Sequence, residues 1–67
     1  MTFEQFIVAA SSYLINSRGE RMGQAYFNAL SFHRPDIAVV IGGDPEYDPF
    51  YDDKNINRFL GFVADRW

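Results

Sequence analysis

Sixty-seven residues carry 12 aromatic side chains, no cysteine and one histidine, with a formal net charge of −3. That length holds one domain, which buries only about 60% of its unfolded surface and so depends on dense packing or self-association. The composition excludes a disulfide, a thiolate metal site and a multi-histidine zinc site within one chain, and the net charge argues against binding a phosphate backbone.

Thr2 and Gln5 have the spacing of a capping box. Behind them Phe3, Phe6, Ile7, Ala10, Tyr13 and Leu14 recur at three- and four-residue intervals, which predicts an amphipathic helix over residues 3–17. Ser17, Arg18 and Gly19 supply its stop. Phe6 to Ala10 is too short an apolar stretch for a signal peptide and no basic residue precedes it. No segment approaches the roughly 20 apolar residues that span a bilayer. The expected location is the cytoplasm, that of an infected host if the chain is phage-encoded, with no membrane partner.

A second helix is predicted over residues 20–32, with Met22, Ala25, Tyr26, Ala29 and Leu30 as its stripe. Gly23 lies within that stripe at a helix-propensity cost of roughly 1 kcal/mol against alanine. Either the glycine is merely tolerated, or another helix approaches closely there. Pro35 suits a first helical turn and Asp36 its positive end. The β-branched run after them also suits a short strand. The Gly42-Gly43 stop and the lack of a strand partner favour a short helix.

Residues 42–53 read as an acidic, aromatic loop. Asp44, Glu46, Asp48, Asp52 and Asp53 are gathered there with no base among them, while the rest of the chain carries four acids and six bases. Two Asp-Pro pairs force turn or extended geometry, and Tyr47, Phe50 and Tyr51 alternate with the acids. Asp53 or Asn55 is placed to cap the last helix, whose stripe is Ile56, Phe59, Leu60, Val63 and Trp67. The expected fold is all-α: a single domain of three main helices plus a short helical segment, with the acidic loop before the last helix. Its expected core is Phe6, Ile7, Ala10, Leu14, Met22, Tyr26, Leu30, Ile37, Ile41, Phe59, Leu60 and Val63.

Chemistry finds little purchase. Asp44-x-Glu46-x-Asp48 opens like a calcium loop, but Pro49 replaces the turn glycine and Asn55 the closing glutamate. The serines have no nucleophile elbow, and Gly42-Gly43 lacks the lysine of a phosphate loop. No cofactor, no metal and no enzymatic activity are expected.

The apolar surplus points instead to a protein partner. Phe62 lies about 160° around the last helix from Leu60, and Phe27 lies at the edge of the second stripe. With Tyr47, Phe50, Tyr51 and Asp52 on the loop, Phe62 forms the predicted partner-binding set. The opposing reading has the loop folding back to cover Phe62 with its own aromatics. A nucleic-acid role would use Arg18, Arg21 and Arg34 directly, or the loop acids as a mimic of a phosphate backbone. A small homo-oligomeric assembly factor is the third reading.

The runs Arg21-x-Gly23-Gln24-Ala25-Tyr26-Phe27-Asn28-Ala29-Leu30, Arg34-Pro35-Asp36-Ile37-Ala38 and Asp48-Pro49-Phe50-Tyr51 resemble short uncharacterised proteins of phages and prophages. The resemblance covers about half the chain. It implies a phage setting, with host takeover or counter-defence as the role, and carries no activity across. Within it, Gln24 and Asn28 are expected to bind a partner or, in preference, to latch the returning loop.

Overall fold

The computed structural model describes residues 1–16 and 19–67. Helix α1 spans Phe3–Asn16. The Gln5 amide donates to Thr2 Oγ1 at 3.1 Å and the Thr2 amide to Gln5 Oε1 at 2.8 Å. This is the expected reciprocal box, and it satisfies amides that have no partner inside the helix. Of the stop predicted after it, Ser17 and Arg18 lie outside the described residues.

Helix α2 spans Met22–His33 and α3 Pro35–Ile41. The hinge between them is one residue, Arg34, whose amide closes α2 on the Leu30 carbonyl at 2.7 Å. Pro35 opens α3 where its missing N–H costs nothing. The segment is helical rather than extended, and no strand occurs among the described residues. Gly42 closes α3 on the Ala38 carbonyl at 2.9 Å. Gly43 then takes φ +83°, which a side chain would oppose, and sends the chain into the loop. A 3-10 turn at Asp53–Asn55 leads into α4, Ile56–Arg66.

Helix α2 is the central element and packs against both α1 and α3. The core gathers Phe6 and Ala10 from α1, Ala29 and Leu30 from α2, Ile37, Ala38 and Ile41 from α3, and Phe59 and Val63 from α4. Ile7, Tyr26 and Leu60 pack at its margin, and Leu14 is half-buried. Met22, expected in the core, is exposed. It is the first residue of α2, and side chains lean toward a helix's N-terminus, so it projects past the packed turns. The alanines at 25, 29 and 38 are buried and let the helices approach closely.

The two ends of the chain meet. Trp67 stacks on Phe6 with ring centroids 5.0 Å apart and meets Phe3 edge-on at 6.2 Å. Its indole N–H donates to the Met1 carbonyl at 2.8 Å. Arg34 lies 5.0 Å over the same ring and donates from Nη1 to the Trp67 carbonyl at 3.0 Å. The Cα radius of gyration, 10.6 Å, matches the roughly 11 Å of a compact domain this size.

Gly23 corrects the expectation of a helix–helix contact. A Cβ there would stand 2.0 Å from the Pro49 carbonyl oxygen and 2.6 Å from Asp53 Oδ1. The close neighbour is the returning loop. Gly23→Ala improves helix propensity by about 1 kcal/mol, yet it must push backbone away, a steric cost of about 2–3 kcal/mol. The expected outcome is a net loss of stability, read as a lower urea midpoint. A raised midpoint would show that loop docking contributes nothing to stability.

Candidate functional site

The acidic loop, residues 42–52, is pinned to the body of the protein, and its carboxylates do most of the pinning. Asp44 Oδ1 accepts from the amides of Glu46 at 2.8 Å and Tyr47 at 3.2 Å, folding the first Asp-Pro pair into a turn. Asp48 is buried at 6% exposure. Its Oδ2 accepts from the Gly43 amide at 2.7 Å and its Oδ1 from the Phe50 amide at 2.8 Å. Pro49 beside it is fully buried. Asn55, at 5% exposure, donates from Nδ2 to the carbonyls of Pro45 and Asp48, each at 2.9 Å.

Neither Asp53 nor Asn55 caps the last helix with its side chain, contrary to expectation. Asp52 caps the 3-10 turn, its Oδ1 accepting from the Lys54 amide at 2.9 Å. Asp53 turns back instead to the start of α2, where Oδ1 accepts from the Gly23 amide at 3.0 Å and from Arg21 Nη1 at 3.2 Å. Arg21 Nη2 also donates to the Phe50 carbonyl. A carboxylate at a helix N-terminus gains from both the free amides and the helix dipole. The latch on the loop is thus Arg21, Gly23 and Asp53. Gln24 caps its own helix by accepting from the Arg21 amide at 2.9 Å, and Asn28 donates to Glu20 Oε1 at 3.3 Å.

The predicted partner-binding residues divide into two groups. Tyr47 and Phe62 pack on each other, ring centroids 5.3 Å apart, and both lie against the core. The Arg66 guanidinium covers Phe62 at 3.4 Å from its centroid. The loop therefore does fold back over Phe62. Phe50, Tyr51 and Asp52 lie elsewhere. Phe50 meets Phe27 edge-on at 6.0 Å and Tyr51 at 4.8 Å. Tyr51 is 79% exposed, and Asp52 is exposed beside it.

The structure adds residues that the pattern left out. Val39 and Val40 of α3 are 78% and 63% exposed. A seven-residue helix with five consecutive apolar residues cannot turn all of them inward at 100° per residue. That run was the available signal. A shallow groove of about 400 Å³ lies between Phe27, Ser31, Pro35 and Val39. A second, of about 310 Å³, lies between Phe27, Gly42, Phe50 and Tyr51. Both are lined by Phe27 and Gly42, so they lie side by side as an apolar track across α2, α3 and the loop. A separate recess of about 430 Å³ between α1 and α2 is lined by Ala9, Tyr13, Asn28, Ala29, Phe32 and His33.

Two of the three arginines offered for nucleic-acid binding are engaged. Arg21 holds Asp53 and the loop, as above. Arg34 grips Asp36 through both carboxylate oxygens, at 2.9 and 3.0 Å. Those hydrogen bonds, with the guanidinium charge, hold the Asp36 carboxyl below the ordinary aspartate value. Arg18 lies outside the described residues. Among the described residues no group of three acids or histidines is arranged to hold a metal, and no helix is long and apolar enough to cross a membrane.

Asn55→Ala strips the Pro45 and Asp48 carbonyls of their donor. Its expected cost is about 2 kcal/mol, the range for leaving buried acceptors unpaired. The loss should appear in chemical denaturation together with faster hydrogen exchange at the Gly43 and Phe50 amides, which depend on the position of Asp48. Unchanged exchange at both amides would mean the loop holds its shape without Asn55.

No family model matches the chain, and no curated protein or solved structure shows significant similarity to it.

Proposed function

We propose that the chain is a small, non-enzymatic, phage-type protein that binds a host or phage protein and modulates it as an adaptor or inhibitor. One observation carries the reading. The apolar track floored by Phe27 is flanked by Val39 and Tyr51, each nearly four-fifths exposed, so large apolar side chains stand beside grooves able to receive a partner's. Aromatic and branched anchors beside a charged rim are what protein interfaces use. Of the residues first assigned to the partner, Phe50, Tyr51 and Asp52 belong to this surface. Tyr47 and Phe62 support it from behind by fixing the loop.

The alternatives have less behind them. Arg21 and Arg34 spend their donors within the protein, which leaves direct phosphate binding a thin basis. Asp44, Asp48 and Asp53 spend oxygens on backbone amides, which weakens mimicry of a phosphate backbone. A homo-oligomer would use the same apolar track, and light scattering at high concentration separates it from a monomeric binder.

The test is affinity capture from the lysate of a bacterial host. Val39→Ser and Tyr51→Ala are each expected to weaken the captured complex about tenfold, the range for interface anchors. Their circular dichroism should stay helical. Ile15→Ser, at an 83% exposed position on α1 outside the track, should leave capture unchanged. If all three variants capture the same protein as strongly as the parent chain, the track is not the working surface.

A further inference from the structure

Beyond Tyr51 the apolar track runs into a small recess of about 140 Å³ whose walls include Asp44, Asp48, Tyr51 and Asp52. Gly43, Asp48 and Tyr51 line both the recess and the neighbouring groove, so the two adjoin. The recess is far below the roughly 300 Å³ at which small-molecule sites begin. It has room for the head of one side chain.

Its electrostatics are one-sided. Asp44, Asp48 and Asp52 line it, and among the described residues no basic side chain lines the recess or either groove. Asp48 is buried, yet its hydrogen bonds come from backbone amides and no cation pairs with it among the described residues. Asp44 and Asp52 each spend one oxygen, Oδ1, on turn amides. The aromatic Tyr51 stands exposed at the edge. Carboxylates beside an aromatic ring attract a guanidinium or ammonium head by charge and by cation–π contact.

Resting on the binding role proposed above, we infer that the partner presents a short segment with a bulky apolar side chain for the Phe27 groove and a lysine or arginine for the Asp44–Asp52 recess. A nucleic acid is the wrong sign for this surface. The charged recess at one end and the apolar track at the other give the segment a direction as well as an affinity.

The probe is a displayed library of random twelve-residue peptides, selected in parallel against the parent protein and the variant D44N/D52N. Asparagine keeps the Oδ1 acceptor that both turns use, so the variant loses charge and keeps its caps. Circular dichroism and a urea midpoint check its fold. Selection on the parent protein should enrich peptides that combine a bulky apolar residue with lysine or arginine. Their affinity should fall about tenfold in D44N/D52N, as expected for loss of charge-assisted hydrogen bonds. The fall of that affinity with added salt should flatten in the variant.

Enrichment of apolar peptides with no basic preference, or a basic preference unchanged in D44N/D52N, overturns the cationic recess and leaves the apolar track standing. No enrichment on the parent protein overturns both. Should D44N/D52N fail to fold, the salt dependence on the parent protein decides alone. Affinity insensitive to salt then rejects the recess. Selected peptides that displace a second copy of the chain would place the basic segment on this protein itself, and that also overturns the inference.

Discussion

The junction of Gly23 with Pro49 and Asp53 is the contact on which the rest of the molecule turns. A helix start carries unpaired amides and a positive dipole end, and here a carboxylate thirty residues away meets them. Asp53 reaches the Gly23 amide because nothing but hydrogen stands on the Gly23 Cα, so the Pro49 carbonyl comes within a distance no side chain would allow. Arg21 adds a bond to each of Asp53 and Phe50. The Arg21–Asp53 ion pair is itself nearly half exposed and contributes little alone. Its effect is to fix the place where the loop crosses α2.

From that crossing the loop's other contacts follow. With residues 49 and 53 held against α2, Asp48 and Asn55 are brought beneath the chain. There the Asn55 side chain donates to the Asp48 carbonyl, and the Asp48 carboxylate accepts from the Gly43 and Phe50 amides. A buried charge is tolerated when enough donors surround it, and Asp48 meets that condition through two amides. The same placement leaves Phe50 against Phe27 and turns Tyr51 outward. Buried and exposed side chains therefore fall in separate stretches of the loop. The residues that secure it (Asp48, Pro49, Asp53) bracket those that it displays (Tyr51, Asp52).

This division explains how so small a domain keeps an apolar surface without losing its fold. The core is compact and rich in alanine, so α2 lies close to its neighbours, and the aromatic excess is moved to the rim. Trp67 joins the first and last residues over Phe6. Phe62 is shielded by Tyr47 and Arg66. Part of the surplus that remains lies on α3 and at the tip of the loop, which share Phe27 as a floor, and part stands on α1 and α2 at Val8, Ile15 and Phe32.

The sequence by itself determined the helices, their order and most of the core. Those features rest on local periodicity, on the Thr2–Gln5 box and on punctuation at Pro35 and Gly42-Gly43, and all of these act over a few residues. It left open whether Tyr51 and Asp52 face solvent, because an aromatic and an acid in a Pro-bounded loop have no local partner. Only the tertiary structure decided which loop acids point inward, that Gly23 makes room for a carbonyl instead of a helix, and that Phe62 is covered while Val39 and Val40 are not. Each of those depends on a contact between residues roughly thirty positions apart or between elements with no shared pattern. An aspartate that caps a distant helix and one that faces solvent look the same in sequence, because the difference is a partner's position in space.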